Sequence, residues 1–554
     1  MPLRPFNREQ AWLLPPTLDE LIPADHPARF IAAFVDGLDA EAWDELEIDL
    51  AGDPMGAGAY HPRALLSIWV YGFMTGVRSS RKLEAACRDQ ISYMWLAGMQ
   101  RPDHNTLWRF YSAHRERMRA LMRRTVRTAV KAGLVDLALQ AVDGTRIAAN
   151  ASRDRTFDAK GLRRLLDRVE AAIKDLEGQN SAGGDSPPAS LPEELASAEA
   201  LRQRVSEALG RVEQEERPNY ENLTDKDAGL LSTRGGGFIA GYNAQSMVAP
   251  LNPLASEEAV PIPTGREDGS GMIITAVEVT SGPDDHPQLI PMIEASAHNT
   301  GTSEGVVTLA DAGYHSGANL AACASSRHQV LMPGTQDRRR LSPYHKDRFT
   351  YQPETDTYLC PQEEVLSYKN SFKHRNGYVV RRYRAQGEVC CACPAFGECT
   401  KSIRGRTIKV SVHEPLLQRH STLMATDWAK SLYRRRKALI EPVFGLLKEH
   451  HDARRFLLRG RNNVLAEWSL LATAFNLKSL HRVWSSSLQP TPPHMGIRSR
   501  GRLQRTQPHK SKGRRRTNCL TTQSRPLSQR PYHFLATTRL QPTPSVNFRR
   551  PSLN

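Results

Sequence analysis

The sequence predicts an α/β fold: a mixed sheet with flanking helices, preceded by an all-helical segment and carrying insertions. Three observations predict it. Apolar residues recur at helical spacing through the first 130 or so positions, as at Leu65, Leu66, Trp69 and Phe73. Period-two alternation then takes over in LVDLALQAVDGTRIAANAS, residues 134–152. Beyond residue 235, strand and helix patterns follow one another in an order that suits a sheet covered by helices.

The elements follow in order. HPRALLSIWVYGFMTGV and SSRKLEAACRDQISYMWLAGM read as helices. Asp103 or Asn105 can cap the next one, because their side-chain oxygens accept orphan N–H groups. That helix carries an arginine series including Arg109, Arg115 and Arg119, which could dock on a nucleic-acid backbone or form a solvated face. After the first strand, Leu162, Leu165, Leu166, Val169, Ile173 and Leu176 make one apolar stripe. Leu195, Ala198, Val205, Leu209 and Val212 make a second, so a helical hairpin is expected over 157–216. GGFIAGYNAQSMVA and GMIITAVEVTSG read as strands, HPQLIPMIEASAHN as a helix and VVTLADAGY as a strand. GANLAACASSR is then a helix and QVLMPG a strand. The expected division is a helical segment 1–130, a sheet-containing core 131–334, an irregular, basic, Cys-containing insertion 335–425, helices 426–483, and a disordered basic tail 484–554.

Composition removes some classes. No apolar run approaches the roughly 20 residues of a membrane span. MPLRPFNREQAW lacks a signal-peptide pattern, so a cytoplasmic protein is expected. The net charge is +16, but residues 484–554 hold 14 Lys and Arg and no Asp or Glu. The rest carries 61 basic and 59 acidic residues, so basicity alone does not argue for nucleic acid.

Three carboxylates stand out. Asp143 closes an alternating run before Gly144, and Asp311 follows VVTLA before Gly313, so both read as strand-end acids beside turns. Glu441 lies on a helix in YRRRKALIEPVFGLLK, where Tyr433, Lys437, Glu441 and Lys448 share one face and Arg436 stands beside Lys437. Pro442 should kink or interrupt that helix. Two aspartates and a glutamate that converge can hold two divalent cations for phosphoryl transfer. Asp225, Asp227, Asp284 and Asp285 are alternatives for the second acid. Cys360, Cys390, Cys393 and Cys399 supply four thiols at a spacing compatible with a structural Zn²⁺, leaving Cys391 over.

These segments resemble a known family. YHPRALLSIWVYGFMTGVRSSRKLEAACRDQISYMWLAG and RPDHNTLWRF look like the InsH-type N-terminal domain of DDE transposases of bacterial insertion sequences. VDGTRIAANAS, TDKDAGLL, GYNAQ, LADAGYHS and IEPVFGLLK look like that family's core motifs. The resemblance spans about residue 10 to residue 481. It implies an RNase H-like core with Asp143, Asp311 and Glu441 as catalytic triad and two Mg²⁺ ions, Mn²⁺ being a substitute. It further implies binding of terminal inverted repeats and target DNA, DNA cleavage and strand transfer, a homodimer or larger assembly on DNA, and a nucleoid-associated location. Tyr433, Arg436, Lys437 and Lys448 would contact DNA, with Lys437 standing where the family pattern has an arginine. Two other readings remain open: a catalytically inactive, element-derived DNA-binding protein, and a metal-dependent nuclease of the same fold.

Overall fold

The computed structural model describes residues 17–51, 58–181, 193–214, 219–233, 235–252, 271–302, 305–334, 342–373 and 379–488. Seven helices come first: α1 (Pro27–Asp36), α2 (Ala40–Glu45), α3 (Pro62–Thr75), α4 (Ser80–Asp89), α5 (Ile91–Leu96), α6 (His104–His114) and α7 (Arg119–Lys131). Pro27 and Pro62 open α1 and α3 at the first turn, where a missing N–H costs nothing. Asp103 caps α6 by accepting from the Asn105 and Thr106 amides at 2.8 and 3.0 Å. The single arginine-rich helix expected here is two helices, broken at 115–118.

The core strands and helices are β1 (Leu139–Ala148), β2 (Thr156–Asp158), α8 (Ala159–Ser181), α9 (Glu193–Glu213), β3 (Tyr220–Asn222), β4 (Gly229–Ser232), β5 (Phe238–Pro250), β6 (Met272–Thr280), α10 (Leu289–Thr300), β7 (Val307–Leu309), α11 (Gly317–Ser325) and β8 (Gln329–Leu331). The central sheet runs β4-β5-β1-β7-β8, and β6 pairs with β5 beyond β4. β5 runs antiparallel to both β6 and β1, whereas β7 and β8 continue from β1 in parallel. The hairpin α8–α9 leaves the sheet from the small β2–β3 ribbon, as the two stripes anticipated.

Alternate residues of the strands face two apolar layers. Val142, Met247, Ala276 and Ala310 pack with α10 and α11. Ala141, Ala244, Val248 and Leu309 pack with the last two helices, α14 (Asp427–His450) and α15 (Arg461–Leu488). That second layer is continuous with α1–α7, so the N-terminal helices share one core with α15. A buried ion pair joins them: Arg78 Nη1 lies 2.6 Å from Glu467 Oε1, both nearly inaccessible.

The segment expected to be irregular is an antiparallel sheet. β9 (Thr350–Gln352), β10 (Thr357–Leu359), β11 (Val365–Lys373), β12 (Val379–Ala385) and β13 (Thr407–Ser411) lie in the order β13-β12-β11-β10-β9, with α12 (Gly387–Ala392) between the last two and α13 (Glu414–Ala425) after them. Only one face is apolar, built from Phe349, Tyr358, Leu366, Tyr383, Ile408 and Val410. Lys369, Lys373, Arg381, Arg382, Arg384 and Lys409, with Ser, Thr and Asn residues, occupy other positions and hide the alternation. α15 runs to Leu488, past the expected tail boundary at 484, and the tail beyond it lies outside the described residues.

Candidate active site

Asp143 does not end its strand. It sits in the middle of β1, opposite Ser246, and Gly144 continues the ladder opposite Gln245. The glycine is there for room, not for a turn. A Cβ at 144 would come within 2.6 Å of Asn243 Oδ1 and 2.8 Å of Asp285 Oδ1, and closer still to Gln245 Nε2. What sets Asp143 apart is register rather than a strand end. β7 pairs only with Leu139–Ala141, so that side of β1 loses its neighbour just before Asp143. Asp311 follows β7 by two residues, as Asp143 follows Leu309's partner Ala141. Both acids therefore stand at the opening between β1 and β7, where ligands of such sheets gather.

The Asp143 carboxylate is largely buried, with a side chain 20% exposed. Oδ1 accepts from the Gly144 amide at 2.9 Å. Oδ2 lies 2.8 Å from Arg436 Nη2, an ion pair without hydrogen-bond geometry. Burial pushes its pKa up to about 6; Arg436 lowers it, and the nearby Asp311 and Asp285 carboxylates raise it further. Asp311 caps the turn that follows β7, its Oδ1 accepting from the Gly313 amide at 2.7 Å. Tyr433 is half-buried, and burial raises its phenol, with Asp311 and Asp143 adding to the shift.

α14 brings the third segment to this place without a break at Pro442. The proline deprives the Ala438 carbonyl of its donor, but Ala438 is on the solvent side, where water can take the bond. The helix's buried face is Arg436, Leu439, Ile440, Val443 and Leu447. That phase turns Arg436 inward, with 6% exposure, and leaves Lys437 in solvent. The cation that meets Asp143 is therefore Arg436, whereas Lys437, expected to share a face with Tyr433, Glu441 and Lys448, is turned to solvent. Lys448 donates to Thr145 Oγ1 at 2.6 Å, two residues along β1 from Asp143. Glu441 is exposed, and its side chain makes no hydrogen bond or ion pair among the described residues.

The alternative acids separate cleanly. Buried Asp225 accepts from Tyr242 Oη at 2.8 and 2.9 Å and from the Gly460 amide at 3.1 Å, and Asp227 accepts from the Arg461 amide. Both fasten the loop before α15. Asp284 is exposed. Asp285 lies beside the site, held by Asn243 and Gln245. Those two amides escaped sequence reading, although a polar pair at i and i+2 in the otherwise apolar GYNAQSMVA run was a signal.

The arginine series is partly consumed inside the fold. Arg115 Nε donates to Asn463 at 2.8 Å, Arg117 pairs with Glu47, Arg123 with Glu45 and Arg124 with Asp39. Arg109 and Arg119 stay exposed. Cys360, Cys390, Cys393 and Cys399 are free thiols lining one cavity beside the small sheet. Cys360 Sγ accepts from the Gln362 and Glu364 amides, and Cys390 Sγ from the Arg406 amide, each at 3.3 Å. Burial raises the Cys399 thiol, and the other three add to the shift. Among the described residues, no three His, Cys, Asp or Glu side chains stand so that they could hold a metal ion, and no helix is long and apolar enough to cross a membrane.

Two family models match the chain. Residues 359–481 match a Transposase DDE domain, and residues 16–113 match a Transposase domain (DUF772). The first runs from the last residue of β10 through most of α15, including Arg436 and Glu441; Asp143 and Asp311 lie outside both matches. No curated protein matches.

Proposed function

The chain belongs to the DDE-type transposases of insertion elements, and from that premise we propose that Asp143, Asp311 and Glu441 form its catalytic triad. The observation that carries this is the docking of α14 on the open side of β1, which sets Arg436 2.8 Å from Asp143 with Asp311 close enough to perturb it. The antiparallel β6-β5-β1 half and the parallel β7-β8 half, with helices on both faces, support an RNase H-like core.

The donor set suits Mg²⁺ or Mn²⁺. It is all carboxylate oxygen, the preference of hard cations, and Asp143, whose pKa burial raises, has the Asp311 and Asp285 carboxylates near enough to add to that rise. Asp143, Asp311 and Glu441 would hold two such ions, which when bound supply Lewis-acid stabilisation and an activated oxygen nucleophile. Glu441 enters by rotating its exposed side chain, since three ligands do not already meet.

The protein's own groups then do the positioning. Arg436, buried and rigid, offers a fork of N–H donors to a phosphate oxygen. Lys448 and Tyr433 flank it on the same helix, and exposed Arg109 and Arg119 contact the DNA backbone farther away. A water oxygen bonds to phosphorus as the P–O3′ bond breaks, freeing a 3′-hydroxyl. That hydroxyl then attacks target DNA in the same way. The protein acts as a dimer or larger on paired terminal repeats. The test is strand transfer with Mg²⁺ on DNA carrying the element's ends. Asp143→Ala and Glu441→Gln should each abolish product, and equal activity in either variant would remove that residue from the triad. A wild type that binds the ends without cutting them would instead be an inactive DNA-binding descendant, and cutting without joining would mark a nuclease.

The four thiols are proposed to take a structural Zn²⁺. Their shared cavity supports this, the side chains turning toward one another on binding, since among the described residues no three of them already stand so that they could hold a metal. Metal analysis of purified protein before and after chelation should find one zinc lost, with the small sheet destabilised; protein free of zinc would refute it.

A further inference from the structure

Asp285 stands between β6 and α10, outside the triad, yet four residues on three elements place its carboxylate. Oδ1 accepts from Asn243 Nδ2 at 2.7 Å and from Gln245 Nε2 at 2.8 Å. Both amides lie on the same face of β5, and Gly144 faces Gln245 across the ladder without a side chain to displace the carboxylate. On the other side, a Cβ on Gly313 would sit 3.1 Å from Asp285 Oδ2 and 2.9 Å from Asp311 Oδ1. Two glycines thus clear the ground on either side of Asp285, and across Gly313 its carboxylate faces that of Asp311. Asp285 Oδ2 accepts no hydrogen bond among the described residues.

A carboxylate fixed at one oxygen by two amides and bare at the other has the form of a metal ligand with its supporting shell in place. A separate observation marks the same spot as a receiving site. Arg436 is 94% buried, and its Nε and Nη2 have no hydrogen-bond acceptor, although Nη2 points at Asp143. Buried guanidinium N–H groups left open beside carboxylates suit a ligand that brings both cation and phosphate.

We infer that Asp285 is a further carboxylate ligand of the active site, binding a divalent cation through Oδ2 together with Asp311. This rests on the metal-dependent reading above and changes it: the second acid is not a choice between Asp311 and Asp285 but a pair. Asn243 and Gln245 are then positioning residues, acting only through Asp285.

The experiment is Mn²⁺ binding by the full-length protein without DNA, measured by electron paramagnetic resonance of the free ion. Wild type, Asp143→Asn, Asp285→Asn and Asn243→Ala are compared, with melting curves in chelator as the folding control. Asp285→Asn should weaken Mn²⁺ binding at least about tenfold, and Asn243→Ala by about tenfold, the range for lost supporting contacts. Should Asp285→Asn fail to fold, Asn243→Ala carries the test, and wild-type affinity there overturns the inference. Binding lost in Asp143→Asn but retained in folded Asp285→Asn overturns the inference and leaves the metal-dependent reading standing. A wild type that binds no Mn²⁺ overturns both.

Discussion

Replacing His451 should change how the fold responds to acid. His451 follows α14 directly, is 1% exposed, and lies 2.9 Å through Nδ1 from the Phe73 carbonyl of α3. It pins the end of the helix that carries Arg436 and Glu441. Burial is the main cause that pushes its pKa down to about 4, with Lys478 adding to it. The unfolded chain titrates near 6.5, so below that pH the unfolded state binds a proton the folded state refuses. Stability is therefore full above about pH 6.5 and lost as pH falls toward 4. Between pH 7.5 and 4.5 the loss is on the order of 2–3 kcal/mol. His451→Asn keeps an N–H donor near the Nδ1 position but does not titrate. Urea unfolding of both proteins at the two pH values, followed by circular dichroism, isolates the effect from the other acids. The variant should lose that much less stability on acidification. Equal acid sensitivity in the two would mean that His451 is charged in the fold, and the reasoning would fail.

Three further outcomes are expected. Arg78→Met strands the Glu467 carboxylate and should cost about 3–5 kcal/mol in urea unfolding, while adding Glu467→Gln should recover part of it by removing the buried charge. Arg436→Ala should lower strand transfer by about 10²-fold or more, the range for one lost transition-state donor, whereas Lys437→Ala should stay near wild type; the reverse order would restore the shared-face reading. Asp143→Asn should abolish transfer yet raise stability at pH 7.5 by roughly 3 kcal/mol, because the raised carboxylate pKa costs stability as pH rises from about 4 through about 6. At pH 4 that gain should nearly vanish in the same unfolding assay.

What could be read from the chain, and what could not, divides along physical lines. The hairpin α8–α9 was legible because two apolar stripes at helical spacing flank a Gly- and Pro-rich stretch. Asp143 and Asp311 were legible as acids in or just after strands. Gly144 was misread because a glycine needed for close approach looks, locally, like a glycine needed for a turn; only the partner strand β5 tells them apart. Arg436 is named by the resemblance, but its inward phase is hidden because four successive cations, Arg434 to Lys437, do not show which one faces the core; Leu439, Ile440, Val443 and Leu447 set the phase of α14. The fate of Arg117, Arg123 and Arg124 depended on acids in α2, at its N-cap and just after it, some 70 to 85 residues earlier, which no local charge count contains.

Register explains why the site lies where it does. β5 pairs with nearly the whole length of β1, from Ala141 to Ala148, but β7 pairs with only its first three residues. From Asp143 one side of β1 is therefore fully bonded and the other is open until Ala148, which bridges to Arg455. The bonded side holds Asp143 rigid, and carries Asn243 and Gln245 along β5 so that they grip Asp285. The open side admits α14 with Arg436, and the turn after β7 with Asp311. Lengthening β7 by two residues would close the opening and bury Asp143 against backbone. Shortening β5 would leave Asp285 unsupported. The three aspartates are thus consequences of a single mismatch in strand length, and Glu441, which depends on helix phase instead, is the acid that stands apart.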